Sequence, residues 1–151
     1  MEIGRYLEAL VQRDKEMEDI YHRAAVSFGL SDTALWVLYM LSRSESPITQ
    51  QELCRAGFYP KQTINTVVNH FVEDGIAVLE ARPGTKKAKL ILLTEAGRTL
   101  AQQTADRLYE AELRAYGSMT GEELKQYLDI KTRLVSFLRE ETEKMTVEAQ
   151  R

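Results

Sequence analysis

The chain has 151 residues, of which 44% are hydrophobic and 28% charged, a composition typical of one folded domain and not of a disordered chain. It contains neither the apolar run of about 20 residues that a membrane span needs nor a basic and then apolar leader, so we expect a cytoplasmic protein without a membrane partner. Its one cysteine excludes an internal disulfide.

The net charge of -3 argues against a nucleic-acid partner only if the charges are spread evenly along the chain. Residues 50–98, however, hold seven basic and five acidic residues, a balance of +2, while the rest of the chain balances at -5. A basic segment within an acidic chain is compatible with phosphate binding at one place on the surface.

The first part of the chain predicts a long helix over residues 2–28. Apolar residues recur there at alternating steps of three and four, interrupted only by Asp14, as the buried seam of a helix requires. Gly29 can end this helix in the left-handed backbone conformation. Ser31 can then cap a second helix, which we expect to end within residues 44–47.

Two short helices are predicted next. Thr49 and Glu52 have the spacing of a capping box, in which each side chain accepts a free backbone N–H at a helix start. This third helix should end near Gly57. Pro60 suits the first position of a fourth helix, because its missing N–H is not needed there, and Gly75 can close that helix.

The predicted fourth helix has an apolar stripe and a polar face that is nearly uncharged. Asn and Thr are poor helix formers, and a face selected only for solubility would favour Glu and Lys. We therefore interpret the polar face as a binding surface rather than merely a solvated one. It contains Lys61, Gln62, Asn65, Thr66, Asn69 and His70.

A β-hairpin and two further helices complete the chain. The apolar runs at residues 76–79 and 90–93 are joined by a basic stretch containing a Pro-Gly turn. Thr94 can cap a fifth helix, which we expect to run to about Tyr116. Residues 120–123 form a second capping box, which opens a sixth helix reaching about residue 145.

This order of elements predicts a mainly α fold with a small β-hairpin wing, a winged helix-turn-helix within a single domain of residues 1–151. Residues 30–98 would form the DNA-binding lobe. The helices in residues 2–28 and 99–145 cannot bury their apolar seams in one small domain, so we expect them to pair with a second copy.

In such a fold the fourth helix fits the DNA major groove, and the hairpin tip brings cations to the flanking backbone or minor groove. We predict groove contacts from Lys61, Gln62, Thr63, Asn65, Thr66 and Asn69. We predict wing contacts from Arg82, Lys86 and Lys87.

Four segments follow one another at a recognisable spacing: Leu30-Ser31 through Trp36 and Leu38, Pro47 through Leu53, Val67 through Ile76, and Leu93-Thr94-Glu95-Ala96-Gly97-Arg98. In this combination they resemble the MarR family of winged-helix transcriptional regulators, over nearly the whole chain. The resemblance implies an obligate dimer built from the first, fifth and sixth helices. It also implies double-stranded DNA as a partner and regulation by a ligand or an oxidant.

The chain departs from the family pattern on both DNA-facing elements. The family wing commonly carries an Asp followed by two Arg residues, where this chain has Thr85, Lys86 and Lys87. Lysine keeps the charge but lacks the planar fork of arginine, so we expect weaker minor-groove insertion and a larger share of phosphate contact. Asn65 and Thr66 stand where the family usually has Thr and Arg.

Other residues allow more than one interpretation. Cys54 lies on the apolar stripe of the third helix, which favours a structural cysteine over a redox switch. His22 and Glu18 have a metal-binding spacing, but two ligands do not make a site, so we expect neither a metal nor another cofactor. Four aromatic residues could line an effector pocket or could equally be core or interface residues: Tyr6, Tyr21, Trp36 and Tyr39.

Catalytic motifs are lacking: there is no Gly-x-Ser-x-Gly and no Gly-rich phosphate loop, and the two histidines fall in separate elements, so we expect no enzyme. The predicted function is a ligand-responsive, sequence-specific DNA-binding transcriptional regulator that binds a pseudo-palindromic operator as a homodimer. The alternative is a winged-helix protein-interaction module without DNA binding, which is motivated by the acidic net charge and the depletion of arginine in the wing.

Overall fold

The computed structural model describes residues 2–85 and 87–149, and within them it has seven helices and a sheet of three strands. The mainly helical fold with a small sheet is confirmed. In chain order the elements are α1 (Ile3–Ser27), α2 (Asp32–Arg43), β1 (Ile48–Thr49), α3 (Gln50–Gly57), α4 (Lys61–Glu73), β2 (Ala77–Ala81), β3 (Lys89–Leu93), α5 (Glu95–Gln103), α6 (Ala105–Tyr116) and α7 (Gly121–Ala149).

The predicted helix caps are present. Ser31 Oγ accepts the N–H of Ala34, 3.1 Å away, at the start of α2. Thr49 and Glu52 form the complete capping box of α3, with 2.6 Å between Thr49 N and Glu52 Oε2. Gly29 follows α1 with a φ of 69°, in the left-handed region where a side chain would be strained. These local signals set the boundaries of the first helices.

The sheet has one strand more than the predicted hairpin. Strands β2 and β3 pair antiparallel, with Leu79 opposite Ile91, and β1 adds to the other edge of β3, with Ile48 opposite Ile91. Strand β1 has only two residues, and it directly precedes the capping box of α3. The wing is therefore joined by backbone hydrogen bonds to the segment that leads into the helix-turn-helix.

The predicted fifth helix is wrong in one respect, because the chain forms two helices, α5 and α6, separated at Thr104. The backbone of Thr104 has φ -131° and ψ -86°, outside the helical region. Its hydroxyl donates to the carbonyl of Leu100, 2.7 Å away, and its side chain is buried. A threonine hydroxyl bonded to the preceding turn is a known cause of helix bending, and here it accompanies a full break.

The core lies inside the winged-helix part. Its largest fully buried side chains come from α2, α3, α4 and the central strand β3: Leu38, Leu53, Ile64, Val68 and Ile91 are among them. Burying each such side chain contributes about 1.5–3 kcal/mol to stability. Packing of this kind fixes α4 rigidly on α2 and α3 and so fixes which of its faces points outward.

The chain divides into two compact units, one up to Glu110 and one from Ala111 onward. The second unit consists of the end of α6, a turn, and α7. Its helix begins at the predicted capping box of Thr120 and Glu123 and extends to Ala149, four residues beyond the predicted end. Helix α7 has 29 residues, none of them buried.

Among the described residues no single helix has both the length and the apolar character to cross a membrane. Helices α1 and α2, which meet at an angle of 85°, satisfy the same test only when they are taken together. Helix α2 itself supplies Leu35, Val37, Leu38 and Leu41 to the buried core.

Candidate nucleic-acid interface

Helix α4 presents its polar face to solvent. Ile64, Val68 and Phe71 are buried on the inner side of the helix. Because helical positions three and four apart share a face, the side chains of Gln62, Thr66 and Asn69 form one row on the outer side, and all three are exposed. Lys61, in the first turn, is exposed as well. An exposed helix face of this size fits the major groove of DNA.

Two of the predicted groove residues are only half exposed. Thr63 lies on one flank of α4 and Asn65 on the other. The amide of Gln50, at the start of α3, donates from Nε2 to Oδ1 of Asn65 across 3.3 Å. This bond orients the Asn65 side chain from a neighbouring helix, as recognition of a base edge requires. The hydroxyl of Thr66 instead donates to the Gln62 carbonyl within α4, at 3.0 Å.

A cleft of about 800 Å³ separates the polar face of α4 from the wing. Three lysines line it, Lys61 from α4 and Lys87 and Lys89 from the hairpin, together with Asn65 and Asn69. A cleft that combines cations with side-chain amides suits a phosphate backbone beside base edges. The structure thus brings predicted residues of α4 and of the wing to one concave surface.

The same cleft contains residues that sequence analysis did not propose as contacts. Lys89 begins β3, and Gln50 and Gln51 form the first turn of α3. Lys89 contributes to the basic count of its segment, so its charge was a usable signal. The two glutamines gave no signal, because the cleft that includes them forms only when α3 packs beside α4.

The tip of the wing is held by its own hydrogen bonds. The Arg82 N–H donates to the Ala88 carbonyl at 3.0 Å and closes the hairpin, and the Thr85 N–H donates to the Arg82 carbonyl at 3.2 Å. The hydroxyl of Thr85 then accepts the N–H of Lys87, also at 3.2 Å. Thr85 thus orders the turn from which Lys87 projects. The predicted contact Lys86 lies outside the described residues.

Arg82 is tied to the helix-turn-helix. Its Nη1 lies 3.7 Å from Oε1 of Glu52, and both side chains are about half exposed. The pKa of Glu52 lies below its usual range, chiefly because the carboxylate accepts the Thr49 backbone N–H and also because the Arg82 and Arg55 charges are near. The carboxylate therefore stays ionised and can keep Arg82 beside α3 at neutral pH.

Comparison with known proteins identifies the same winged-helix part of the chain. Residues 28–88, which contain α2 to α4 and most of the wing, match the family model described as MarR family. The resemblance to the MarR family is confirmed. No curated protein matches the sequence.

Solved structures with the MarR fold superimpose on most of the chain. The MarR family regulator NMB1585 from Neisseria meningitidis has a TM-score of 0.79 at 18% identity, covering 92% of this chain and 97% of its own. The S. aureus MepR–DNA complex has a TM-score of 0.69 at 18% identity, covering 88% of this chain and 97% of its own. CouR from Rhodococcus jostii RHA1 bound to p-coumaroyl-CoA has a TM-score of 0.68 at 22% identity, covering 85% of this chain and 90% of its own.

The four aromatic residues predicted for an effector pocket lie on the first two helices, Tyr6 and Tyr21 on α1 and Trp36 and Tyr39 on α2. Trp36 packs on Tyr59, with ring centroids 5.0 Å apart. Tyr39 meets Tyr109 edge to face at 6.0 Å, and Tyr6 is exposed on α1. Tyr21 is half-buried near the end of α1. Their assignment to an effector pocket stays a prediction.

Cys54 is half-buried and packs against the core, and it also lines the cleft beside α4. His22 Nδ1 lies 2.8 Å from Asp32 Oδ1 at the junction of α1 and α2, whereas Glu18 pairs with Lys15. The described residues contain no group of three or more His, Cys, Asp or Glu side chains that could hold a metal ion.

Proposed function

We propose that this protein is a transcriptional regulator that binds double-stranded DNA at a pseudo-palindromic operator as a homodimer. The observation that carries the proposal is the cleft between α4 and the wing, where the amides of Asn65 and Asn69 share one concave surface with lysines of the hairpin. In a winged helix-turn-helix, α4 enters the major groove and the wing lies along the adjacent backbone. The regulators to which the chain is similar support the same proposal.

The lysines of the wing supply affinity in this proposal, and the amides of α4 supply specificity. A lysine beside a phosphate releases counterions whatever the base sequence. Asparagine can bond both N6 and N7 of adenine in the major groove, which distinguishes one base pair from the others. Asn65, oriented by Gln50, and the exposed Asn69 are the side chains we assign to this role.

Dimerisation is proposed from surfaces that the single chain leaves uncovered. The N-terminal half of α1 exposes Ile3, Leu7 and Leu10, which lie at helical spacing on one face. Helix α7 buries none of its residues and exposes several large apolar side chains, including Leu128, Ile130 and Phe137. Helices that bury no apolar face are marginal in water, and a second copy is the partner always present. Two copies of α4 would then lie about 34 Å apart, one DNA turn.

Selection of bound fragments from random duplex DNA tests the proposal. The full-length protein should enrich a two-fold symmetric motif with half-site centres about one helical turn apart. Retention on random duplex DNA or heparin should fall steeply with salt. A protein that is not retained at low salt would instead be an interaction module without DNA binding, and an asymmetric motif would contradict the symmetric dimer.

A further inference from the structure

The hydrogen bond between Gln50 and Asn65 determines which way the Asn65 amide faces. Gln50 lies in the first turn of α3 and Asn65 in the middle of α4, and both are half-buried beside the same cleft. Nε2 of Gln50 donates to Oδ1 of Asn65 across 3.3 Å. Among the described residues this is the one side-chain hydrogen bond that the Asn65 amide makes. The oxygen of Asn65 is therefore engaged by α3.

An amide group is planar, with its oxygen on one side and its NH₂ group on the other. Because Oδ1 of Asn65 is turned toward α3, Nδ2 is turned away from it. Turning the Asn65 amide alone would bring its NH₂ group against that of Gln50, where two donors meet without an acceptor. The two amides therefore change orientation only together, and in the orientation that the structure shows, Asn65 offers a ligand N–H donors.

A neighbouring side chain on the same face of α4 is also a donor. Lys61 stands four residues before Asn65, about one helical turn away, and lines the same cleft. Its ammonium group has three N–H donors and no acceptor. Adjacent donors on one helix face fit a base edge made of acceptors. In the major groove guanine presents two acceptors, N7 and O6, whereas adenine presents one acceptor and one donor, and cytosine presents a donor.

We propose that Gln50 is a positioning residue that makes Asn65 select guanine, with Nδ2 of Asn65 donating to N7 and O6 in the major groove. The inference rests on the proposed function, because it names the base that one side chain of α4 reads. Asn69, which is exposed on the next turn, can still pair with adenine through both of its amide atoms. For Asn65 the bond from α3 narrows the choice between the two purines.

Selection of bound fragments from random duplex DNA, carried out with the full-length protein and its variants, tests this role of Gln50. Asn65→Ala first identifies the operator position that Asn65 reads, because the base preference at that position should disappear. There the unmodified protein should favour guanine over adenine by about tenfold or more, the discrimination expected of a pair of hydrogen bonds to one base edge.

Two substitutions of Gln50 should then change the base selected at this position. Gln50→Ala leaves the Asn65 amide free to turn, so guanine and adenine should be selected about equally. Gln50→Glu has nearly the same shape, but a carboxylate only accepts hydrogen bonds, so it should bind the NH₂ group of Asn65 and turn the oxygen toward the DNA. This variant should therefore select a base with a donor, cytosine or adenine, and disfavour guanine by about tenfold or more.

The matched control is Gln51→Glu. Gln51 is the next residue of α3, is exposed and lines the same cleft, so this variant adds the same negative charge near the DNA. Both Glu variants should lose overall affinity through repulsion from the phosphates, but Gln51→Glu should still select guanine. Loss of guanine in both variants would show that charge, and not the hydrogen bond, sets the preference, and would overturn the inference.

The remaining outcomes separate this inference from the proposed function. Adenine at the Asn65 position in the unmodified protein, or guanine retained by Gln50→Glu, would overturn the role of Gln50, although a two-fold symmetric motif would still support the proposed function. An Asn65→Ala variant that keeps every base preference would overturn the inference as well. If the unmodified protein enriches no motif, the proposed function fails and the inference fails with it.

Discussion

Glu52 and Arg82 join the start of α3 to the tip of the wing, with 3.7 Å between Oε1 and Nη1. The other oxygen of Glu52 accepts the Thr49 N–H at 2.6 Å. One carboxylate thus caps a helix and holds an arginine of the hairpin. Within the wing itself, the hydroxyl of Thr85 accepts the N–H of Lys87 at 3.2 Å, so the hairpin turn is held both from α3 and from its own side chains.

Replacing Glu52 by Gln should reduce the amount of folding stability that the protein loses as the pH falls. Folding lowers the pKa of Glu52 from its ordinary value of 4.5, so its ionised form stabilises the fold at pH values above 4.5, and this contribution is lost as the pH falls through the lowered pKa. Gln preserves a capping box, so the loss at pH 7 should be about 1 kcal/mol or less. Thermal unfolding between pH 7 and pH 3 measures both the loss of stability at pH 7 and the dependence of stability on pH.

The matched control for that experiment is Glu8→Gln on the exposed surface of α1. Its unfolding midpoints should follow those of the unmodified protein at every pH. Parallel curves for all three proteins would show that Glu52 does not carry the acid dependence.

Removing the two wing lysines should weaken DNA binding to all sequences alike. Replacing Lys86 and Lys87 by Ala should reduce the slope of log affinity against log salt by about 0.9 for each phosphate that the protein no longer neutralises. Asn65→Ala should instead change which sequences are selected, at a cost of about 1–3 kcal/mol on the preferred one. Titrations of labelled duplexes at several salt concentrations distinguish the two effects.

Replacing Lys125 and Lys131 of α7 by Ala removes the same charge far along the chain and serves as the control. Its salt slope should equal that of the unmodified protein. A wing variant that alters only sequence preference would reverse the roles assigned to the wing and α4.

Any side chain at Gly57 would force two neighbouring rings to move. A Cβ there would lie 2.5 Å from Cδ2 of Tyr59 and 2.6 Å from Cη2 of Trp36, and these rings pack on one another. Gly57→Ala should therefore destabilise the fold by about 1–3 kcal/mol through overpacking. Gly4→Ala, in open space on α1, should stabilise it by about 0.5–1 kcal/mol. Urea unfolding measures the stability of the two variants, and an equal change in both would contradict the packing argument.

Gly57 lies beside these rings as the last residue of α3. The residue that takes the left-handed backbone conformation at the end of this helix is therefore Phe58 and not a glycine. Phe58 has a φ of 54°, and the residue is 92% exposed. Phe58→Gly should stabilise the protein by about 1 kcal/mol by relieving the backbone, since the exposed ring contributes almost no packing. Phe58→Ala retains the Cβ and should leave stability nearly unchanged. A gain from alanine equal to that from glycine would show that the backbone is not the cause.

Local chemistry accounts for what the sequence could predict. Caps such as Ser31 and the box of Thr49 and Glu52 act within one turn, so they predict helix boundaries without tertiary information. The break at Thr104 has no Gly or Pro to signal it. Strand β1 is two residues long and exists only because β3 lies beside it. Both features depend on tertiary packing.

The same distinction holds for the candidate site. The polar face of α4 follows from helical spacing, so Gln62 and Asn69 could be placed in advance. The contact of Gln50 with Asn65 joins residues fifteen positions apart on two helices, and that of Arg82 with Glu52 joins different elements. Such contacts arise from how elements pack, which sequence periodicity does not specify.

Two aspartates on the exposed seam of α1 should separate the proposed dimer into subunits. Leu7 and Leu10 are 59% and 57% exposed in the single chain, so Leu7→Asp with Leu10→Asp should cost its own fold little. In a dimer the same charges would be buried without partners, at several kcal/mol each. Sedimentation should show twice the chain mass of 17.3 kDa for the unmodified protein and a single chain for the variant, with operator affinity lost in parallel. The control variant, Ala9→Asp with Gln12→Asp, adds the same charge to α1 away from this seam and should remain dimeric. If the unmodified protein sediments as one chain, both the dimer and the symmetric operator are excluded.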